Sequence, residues 1–193
     1  MSIFRIFCGG GILDGIIFRI RIRLQKDVLK KTELWRGKLY YLGSNVRLHT
    51  NYLGDPYLIS IEDNVSVAAG VRFINHDISC YNVARYLQRP ENEFDSVGPI
   101  ILRENCFIGA YSILMPNSSV GKNSIVASGS IVTKHIPDGE VWGGTPAKFI
   151  MTIEEYAQKL EQKCSKYPWM NKKNISLDEL KRERQKFFFK DYL

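Results

Sequence analysis

The chain has 193 residues, of which 45% are hydrophobic, and a formal net charge of +7. This length suffices for one well-packed core with a small appendage, and the hydrophobic content excludes an intrinsically disordered chain. The positive charge favours anionic partners such as phosphate groups, nucleic acid or an acidic membrane surface, and does not choose among them. The four cysteines include no CxxC pair, which argues against a disulfide framework or a zinc cluster and is typical of a reducing compartment.

Residues 1–40 form an apolar segment that charged side chains interrupt. These are Arg5, Asp14, Arg19, Arg21 and Arg23. Because no long apolar run remains, neither a membrane-spanning helix nor a signal peptide is predicted. An amphipathic helix is predicted by aliphatic residues at helical spacing, namely Ile16, Ile17, Ile20, Leu24 and Val28. The alternation over residues 18–24 is also compatible with a strand. We expect the segment to pack at the end of the domain, and a helix lying on a membrane surface is the alternative.

From residue 102 onward the sequence repeats every six residues. The first position of each hexad is aliphatic: Leu102, Ile108, Leu114, Val120, Val126 and Val132. The fifth position is small: Cys106, Ser112, Ser118, Ser124 and Ser130. The fourth position is rich in residues that tolerate a left-handed backbone: Asn105, Tyr111, Asn117, Asn123, Gly129 and His135. Three constraints that recur together are much stronger evidence than an apolar period alone.

The same repeat runs earlier, from about residue 42 to residue 77, with an offset at Gly54-Asp55-Pro56. A period of six fits neither a helix nor an ordinary strand, but it fits a chain that turns a corner every six residues. Three sides then close a triangular coil. The aliphatic and small positions face inward, and successive coils stack about 4.8 Å apart.

These hexads resemble those of the hexapeptide-repeat acyltransferases, and the segment VTKHIPDGEVWGGTPAKFI resembles the end of that family's last coil. The closest resemblance within the family is to the maltose, galactoside and polysaccharide O-acetyltransferases. It implies a mainly β fold, with a left-handed parallel β-helix over residues 41–150. It further implies a homotrimer that uses acetyl-CoA and needs no metal.

After Ile150 the repeat is replaced by helical signals, so we predict helices over residues 151–193. The segment from Thr152 to Tyr167 has apolar residues at helical spacing, and Ser176 to Glu179 is a capping box. The basic and aromatic residues that follow are interpreted as a helix packing on a neighbouring coil or subunit. Net charge alone gives no motif for nucleic-acid binding.

The repeat stops at His76, and residues 78–98 form a predicted loop insertion. Insertions of about twenty residues in compact repeats are usually functional. Imidazole can take the proton of an attacking hydroxyl near neutral pH and return it to a thiolate leaving group. The resemblance places the family's catalytic histidine here, so His76 is the predicted general base. His49 and His135 are expected to have no catalytic role.

The resemblance also implies that acetyl-CoA lies in a groove between neighbouring subunits. The matching positions are Ala110, Ser128, Gly129, Thr133, Lys134 and Lys148. The lysines would meet the phosphates. Candidate acceptor-binding residues are Asp55, Tyr57, Asn75 and Asn82.

We therefore predict a cytoplasmic O-acetyltransferase that acts on a sugar or a surface-polysaccharide precursor, with peripheral contact to the inner face of the membrane as an open question. An N-acetyltransferase of the same fold is the alternative. A zinc hydratase would need three converging histidines, and the chain has only His49, His76 and His135 without a close pair. A non-catalytic scaffold would not bind acetyl-CoA.

Overall fold

The computed structural model describes residues 12–172 and 174–190, so Arg5 lies outside the described residues. The chain divides into two compact units, Met1–Ile153 and Glu154–Leu193.

Short strands dominate the described part of the first unit. They are β1 (Tyr41–Leu42), β2 (Arg47–Leu48), β3 (Ile59–Ile61), β4 (Ser66–Val67), β5 (Arg72–Phe73), β6 (Ile100–Leu102), β7 (Phe107–Ile108), β8 (Ile113–Leu114), β9 (Ser118–Val120), β10 (Ile125–Val126), β11 (Ile131–Val132), β12 (His135–Ile136), β13 (Glu140–Gly143) and β14 (Lys148–Thr152).

The strands stack into three sheets that form the sides of a coil. Sheet 1 has the order β1-β3-β6-β9-β12, sheet 2 the order β14-β13-β10-β7-β4-β2, and sheet 3 the order β11-β8-β5. Each described pairing is parallel except β13 with β14, which is antiparallel. The chain passes from sheet to sheet in turn, so the predicted parallel β-helix is confirmed.

Left-handed residues make the corners, as the fourth hexad position predicts. Asn105, Tyr111, Asn117, Asn123 and Gly129 all have positive φ, between 56° and 72°. Neighbouring corners are linked by side-chain amides, since Asn105 Nδ2 donates to Asn123 Oδ1 at 2.8 Å. The prediction was wrong for His135, which lies in β12.

The core follows the first and fifth hexad positions. The six aliphatic first positions from Leu102 to Val132 are at most 1% exposed, and the five small fifth positions are buried. The buried serines bond to the backbone; Ser124 Oγ, for example, donates to the Pro137 carbonyl at 2.6 Å. Burial also raises the pKa of the Cys106 thiol to about 12, so this thiol stays protonated in the folded protein.

Replacing Leu114 by alanine is expected to lower the free energy of unfolding by about 2 to 5 kcal/mol, because the side chain is fully buried and leaves a cavity. Ile113→Ala in the same strand is the matched control, since Ile113 is only partly buried. Urea unfolding followed by circular dichroism measures both variants. Equal losses for the two would contradict the inward orientation of the first hexad position.

Two helices precede the coils: α1 (Ile12–Leu24) and α2 (Val28–Glu33). The helical interpretation of the N-terminal segment is thus confirmed over the described residues. The helix packs on the domain as expected, but not through the aliphatic stripe. Ile16, Ile17, Ile20 and Leu24 are 44–72% exposed. The opposite face packs instead, because Ile22 is buried and the Phe18 ring contacts the Trp35 ring edge-on at 4.9 Å. Among the helices that the structure describes, none is both long and apolar enough to cross a membrane.

The insertion over residues 78–98 is more ordered than the predicted loop. It contains α3 (Ser79–Tyr86) and a short 3-10 helix (Glu91–Glu93). Arg85 forms an ion pair with Glu91 at 2.6 Å, and Ala84 is fully buried. The Asp77 carboxylate accepts a hydrogen bond from the Ser79 amide at 2.9 Å just before α3, and this bond lowers the pKa of Asp77.

The second unit contains most of α4 (Ile153–Cys164), a 3-10 helix (Pro168–Asn171) and α5 (Leu177–Phe188). The predicted capping box is confirmed, because Ser176 Oγ accepts from the Glu179 amide at 3.2 Å. Phe187 and Phe188, which we expected to pack on a neighbouring coil or subunit, contact each other and the rings of Tyr167 and Trp169 within this unit.

Candidate active site

His76 lies at the corner between sheet 3 and sheet 1, where the insertion leaves the coil. It pairs with Val97, so the two ends of the insertion meet beside it. The Asp77 amide donates to the Ser96 carbonyl at 2.8 Å, and the Gly98 amide donates to the Asn75 carbonyl at 2.9 Å. These bonds hold the His76 backbone on an ordered part of the fold even though a long segment follows.

Asp55 occupies the same corner one coil earlier. Its carboxylate contacts Nδ1 of the His76 imidazole. The Asp55 and His76 side chains are 30% and 45% exposed, so substrate can reach the pair. A carboxylate at Nδ1 favours the tautomer with the proton on that nitrogen, which leaves Nε2 as a proton acceptor. The predicted substrate-binding residue Asp55 therefore contacts the predicted base.

The buried side chain of Asn75 links the backbone segments on both sides of this corner. Its side chain is 1% exposed; Nδ2 donates to the Gly98 carbonyl at 3.1 Å, and Oδ1 accepts from the Asp55 amide at 3.2 Å. Gly54 lets its backbone approach the Phe73 backbone closely, because a Cβ at Gly54 would lie 2.6 Å from the Phe73 carbonyl oxygen. The Asn75 side chain is therefore buried and hydrogen-bonded to the backbone, and it does not lie on the surface where an acceptor would bind.

Tyr57 and Asn82, the other two candidate acceptor residues, are exposed. Asn82 lies on α3. Partial desolvation raises the pKa of Tyr57, and the nearby carboxylates of Asp55 and Asp95 raise it further. The phenol therefore stays protonated at neutral pH and can donate a hydrogen bond.

The six candidate cofactor-binding residues lie on two corners and one terminal strand. Ala110, Ser128 and Gly129 lie at the corner between sheets 2 and 3, where the Gly129 amide donates to the Ala110 carbonyl at 2.8 Å. Thr133 and Lys134 lie on the His76 corner, two coils further on, and the Lys134 ammonium is 5.2 Å from the centre of the Trp142 ring. Lys148 is exposed on β14.

In the part of the chain that the structure describes, no three His, Cys, Asp or Glu side chains form a group that could hold a metal ion. His135 is instead bonded to Ser119 Oγ through Nδ1 at 2.7 Å on the outer face of sheet 1.

Comparison with known proteins gives a consistent result. Residues 99–134 match the family model for the bacterial transferase hexapeptide (six repeats). The chain is 33% identical over 167 residues to Protein CapG of Staphylococcus aureus, covering 81% of this chain and 95% of CapG. It is 32% identical over 120 residues to galactoside O-acetyltransferase of Escherichia coli (strain K12), covering 58% of this chain and 57% of that protein.

One solved structure, of a galactoside acetyltransferase in complex with coenzyme A, shares the fold. It superposes with a TM-score of 0.52 at 22% identity, covering 76% of this chain and 82% of the other.

Proposed function

The chain belongs to the hexapeptide-repeat family of bacterial transferases, and we propose that it transfers the acetyl group of acetyl-CoA to a hydroxyl group of a sugar or a surface-polysaccharide precursor. Family membership also confirms the predicted left-handed hand of the parallel β-helix. The proposed reaction is supported above all by the contact of the Asp55 carboxylate with His76 Nδ1 at the corner where the insertion begins.

In the proposed reaction His76 acts first as base and then as acid. Nε2 takes the proton of the acceptor hydroxyl as its oxygen attacks the thioester carbon. The tetrahedral intermediate collapses with cleavage of the carbon–sulfur bond, and the imidazolium returns the proton to the departing thiolate. The products are an acetyl ester and free coenzyme A, and no acetylated enzyme is formed.

Asp55 assists both steps through its contact with Nδ1 of the His76 ring. Its carboxylate keeps the Nδ1 proton in place before the attack and stabilises the positive charge of the imidazolium afterwards. Because the pair is partly exposed, water screens some of this interaction, and its contribution is smaller than that of a buried pair.

The proposed donor groove is completed by a neighbouring subunit of a homotrimer. Ala110, Ser128 and Gly129 supply small side chains and backbone groups along one corner. Thr133 and Lys134 lie on the corner that also carries His76. A thioester reaching from these residues along sheet 3 would end at the imidazole.

Alanine at Lys134 or Lys148 is expected to raise the KM for acetyl-CoA about tenfold with little change in kcat, because each ammonium would lose a charged hydrogen bond to phosphate. Lys30→Ala, an exposed lysine of α2, is the control and should leave KM unchanged. Steady-state rates at varied acetyl-CoA concentration measure the effect. An unchanged KM in both lysine variants would place the phosphates elsewhere.

An amine acceptor is the second candidate, since carboxylates (Glu62, Asp63 and Glu104) line a hollow on sheet 1 and would attract an ammonium group. The two reactions are separated by following free-thiol release from acetyl-CoA with matched sugars that carry either a hydroxyl or an amine at the same position. Faster release with the hydroxyl sugars is expected, and release with amino sugars alone would favour N-acetylation. No release with any acceptor, and no acetyl-CoA binding, would favour a scaffold.

The N-terminal helix supports a further proposed partner, an anionic membrane surface. At the helical period, the exposed apolar residues of α1 fall within an arc of about 100°. They are Leu13, Ile16, Ile17, Ile20 and Leu24. On the same helical wheel, Arg19 and Arg23 border one side of this stripe and Arg21 the other. An apolar stripe with arginines on both borders is typical of a helix that lies at a lipid surface, where guanidinium groups meet anionic headgroups.

The membrane contact predicts co-sedimentation with anionic vesicles and little with zwitterionic ones. Ile17→Glu with Ile20→Glu should abolish the binding, while Leu29→Glu, an exposed leucine of α2, tests whether an added charge elsewhere has the same effect. Equal binding to both vesicle types would overturn this proposal. Loss of the oligomer in the double variant would also overturn it, since the stripe would then belong to a subunit interface.

A further inference from the structure

The outer face of sheet 1 carries a hollow of about 280 Å³ beside the Asp55–His76 pair. Its walls include Tyr40, Tyr57, Ser60, Pro99 and Arg103. A second hollow of about 390 Å³ shares Tyr40 and Ser60 with the first. The two hollows adjoin at these two residues, and we name them together the tyrosine groove. The second hollow is of a size that suits a small-molecule ligand or a sugar unit.

The tyrosine groove adjoins, along the chain, the corner that carries Asp55 and His76. Tyr57 is two residues beyond Asp55, and the Asp55 charge contributes to the raised pKa of its phenol. The Tyr40 amide donates to the carbonyl of Pro56, the residue between them, at 3.2 Å. On the other wall, Pro99 directly follows Gly98, which is hydrogen-bonded to Asn75. Both walls are thus continuous with the backbone that positions His76.

This groove lies on the opposite side of the His76 corner from the proposed donor residues. Five of those residues occupy the two corners that border sheet 3, and Lys148 lies on β14 of sheet 2, whereas the groove lies on sheet 1. Direct transfer requires the thioester and the attacking hydroxyl to reach the same base from different directions. With the donor on sheet 3, the acceptor approaches over sheet 1.

The groove lining indicates what kind of acceptor would bind. Exposed tyrosine rings can stack against the C–H face of a sugar ring, and phenol and serine hydroxyls can bond to sugar hydroxyls. Tyr40 and Tyr57 are 79% and 47% exposed and so can offer such surfaces.

The charges in the groove disfavour an anionic acceptor. The second hollow is lined by Glu62, Asp63 and Glu104. The cation of the groove, Arg103, is already paired with Glu62 at 2.7 Å. Carboxylates accept hydrogen bonds from sugar hydroxyls but repel phosphate and carboxylate groups. Glu104 is likewise paired with Lys122 at 3.4 Å. Three carboxylates against these two cations leave the lining with a net negative charge.

We propose that the tyrosine groove is the acceptor site and that it binds uncharged sugar units of a glycan adjoining the unit that is acetylated. This inference rests on the proposed acetyl transfer and names the substrate class of that same site. Nucleotide-linked sugars and acidic glycans are poor acceptors because their charges would enter the carboxylate-lined half of the groove.

Tyr40→Ala and Tyr57→Ala are expected to raise the KM for a neutral oligosaccharide about 3- to 10-fold, which is the range expected for losing one aromatic stacking contact. The KM for acetyl-CoA should not change, because these side chains line the groove on sheet 1 and not the proposed donor corners. Tyr57→Phe, which keeps the ring, should retain most acceptor affinity. Tyr156→Ala in the second unit is the control.

Acceptor charge gives the second test. The wild-type protein should prefer a neutral oligosaccharide to the same one carrying a carboxylate, and Glu104→Gln should reduce that preference. Unchanged acceptor KM in both alanine variants, or a preference for the acidic acceptor, would overturn the groove assignment while leaving acetyl transfer intact. Loss of the oligomer in the tyrosine variants would overturn it too, because the face would then be covered by another subunit. If the wild-type protein acetylates no hydroxyl acceptor, the proposed function itself has failed.

Discussion

His76→Ala is expected to lower kcat for acetyl transfer by about 10²- to 10⁴-fold, the usual contribution of a positioned general base and acid. The loss falls on kcat because the acceptor hydroxyl has a pKa far above neutrality and no longer has a base as it attacks the thioester. The KM for acetyl-CoA and the unfolding midpoint should remain close to those of the wild-type protein, since the His76 side chain is 45% exposed and fills no core space.

Two other histidines provide controls for this result. His49→Ala and His135→Ala should retain activity, because His49 is exposed next to β2 and His135 is bonded to Ser119 on sheet 1. Steady-state rates and thermal unfolding of the three variants make the comparison. Full activity of His76→Ala, or equal losses in all three variants, would rule out His76 as the base.

Asp55→Asn is expected to lower kcat about 10- to 100-fold while leaving the KM for acetyl-CoA unchanged. The asparagine preserves shape, and its amide oxygen can still accept a hydrogen bond from the Nδ1–H group, but it no longer stabilises the imidazolium by charge. The expected loss is below that of a buried carboxylate because solvent screens a pair that is partly exposed.

Two comparisons separate this positioning role from a structural one. Asp77→Asn is the matched control, since Asp77 adjoins His76 and bonds to the Ser79 amide, a role asparagine can also fill. In a double-mutant cycle, Asp55→Asn should cost nothing further in the His76→Ala protein. An additive loss in the double variant would show that Asp55 acts independently of the imidazole, for example by binding acceptor.

The coil itself was predictable because it depends on local rules. Leu114, Ser118 and Asn117 each occupy a hexad position with one physical requirement: apolar and buried, small and buried, or left-handed at a corner. These requirements recur at a fixed spacing, so the sequence carries the fold even though each strand has only two or three residues.

The partner of His76 was not predictable in the same way. Asp55 precedes His76 by one coil, and the offset at Gly54-Asp55-Pro56 displaces it from the repeat. The six-residue period therefore does not predict that the Asp55 and His76 side chains are aligned. The offset shows only that the coil is irregular at Asp55. The burial of Asn75 depends on its contact with Gly98. Because Gly98 is the last residue of the insertion, the local sequence around Asn75 does not show this contact.

The packing face of α1 illustrates another limit of sequence patterns. Periodicity detects an apolar stripe, but it does not say whether the stripe packs on the same chain. Here Phe18 and Ile22 pack toward Trp35 and the core, while Ile16 and Ile20 face outward. When a helix has apolar residues on two faces and only one face packs on its own chain, the other face remains exposed and can bind a partner.

If the chain places an acetyl group on a sugar hydroxyl by means of His76, the product carries an ester linkage whose formation depends on that residue. Wild-type and His76→Ala proteins are incubated with acetyl-CoA and a neutral oligosaccharide, and the product is analysed by mass spectrometry before and after mild alkali. We predict an acetylated oligosaccharide that alkali deacetylates and that is nearly absent with His76→Ala. An alkali-stable amide would show that the acceptor group is an amine, and an equal yield of ester from the variant would show that His76 is not the base.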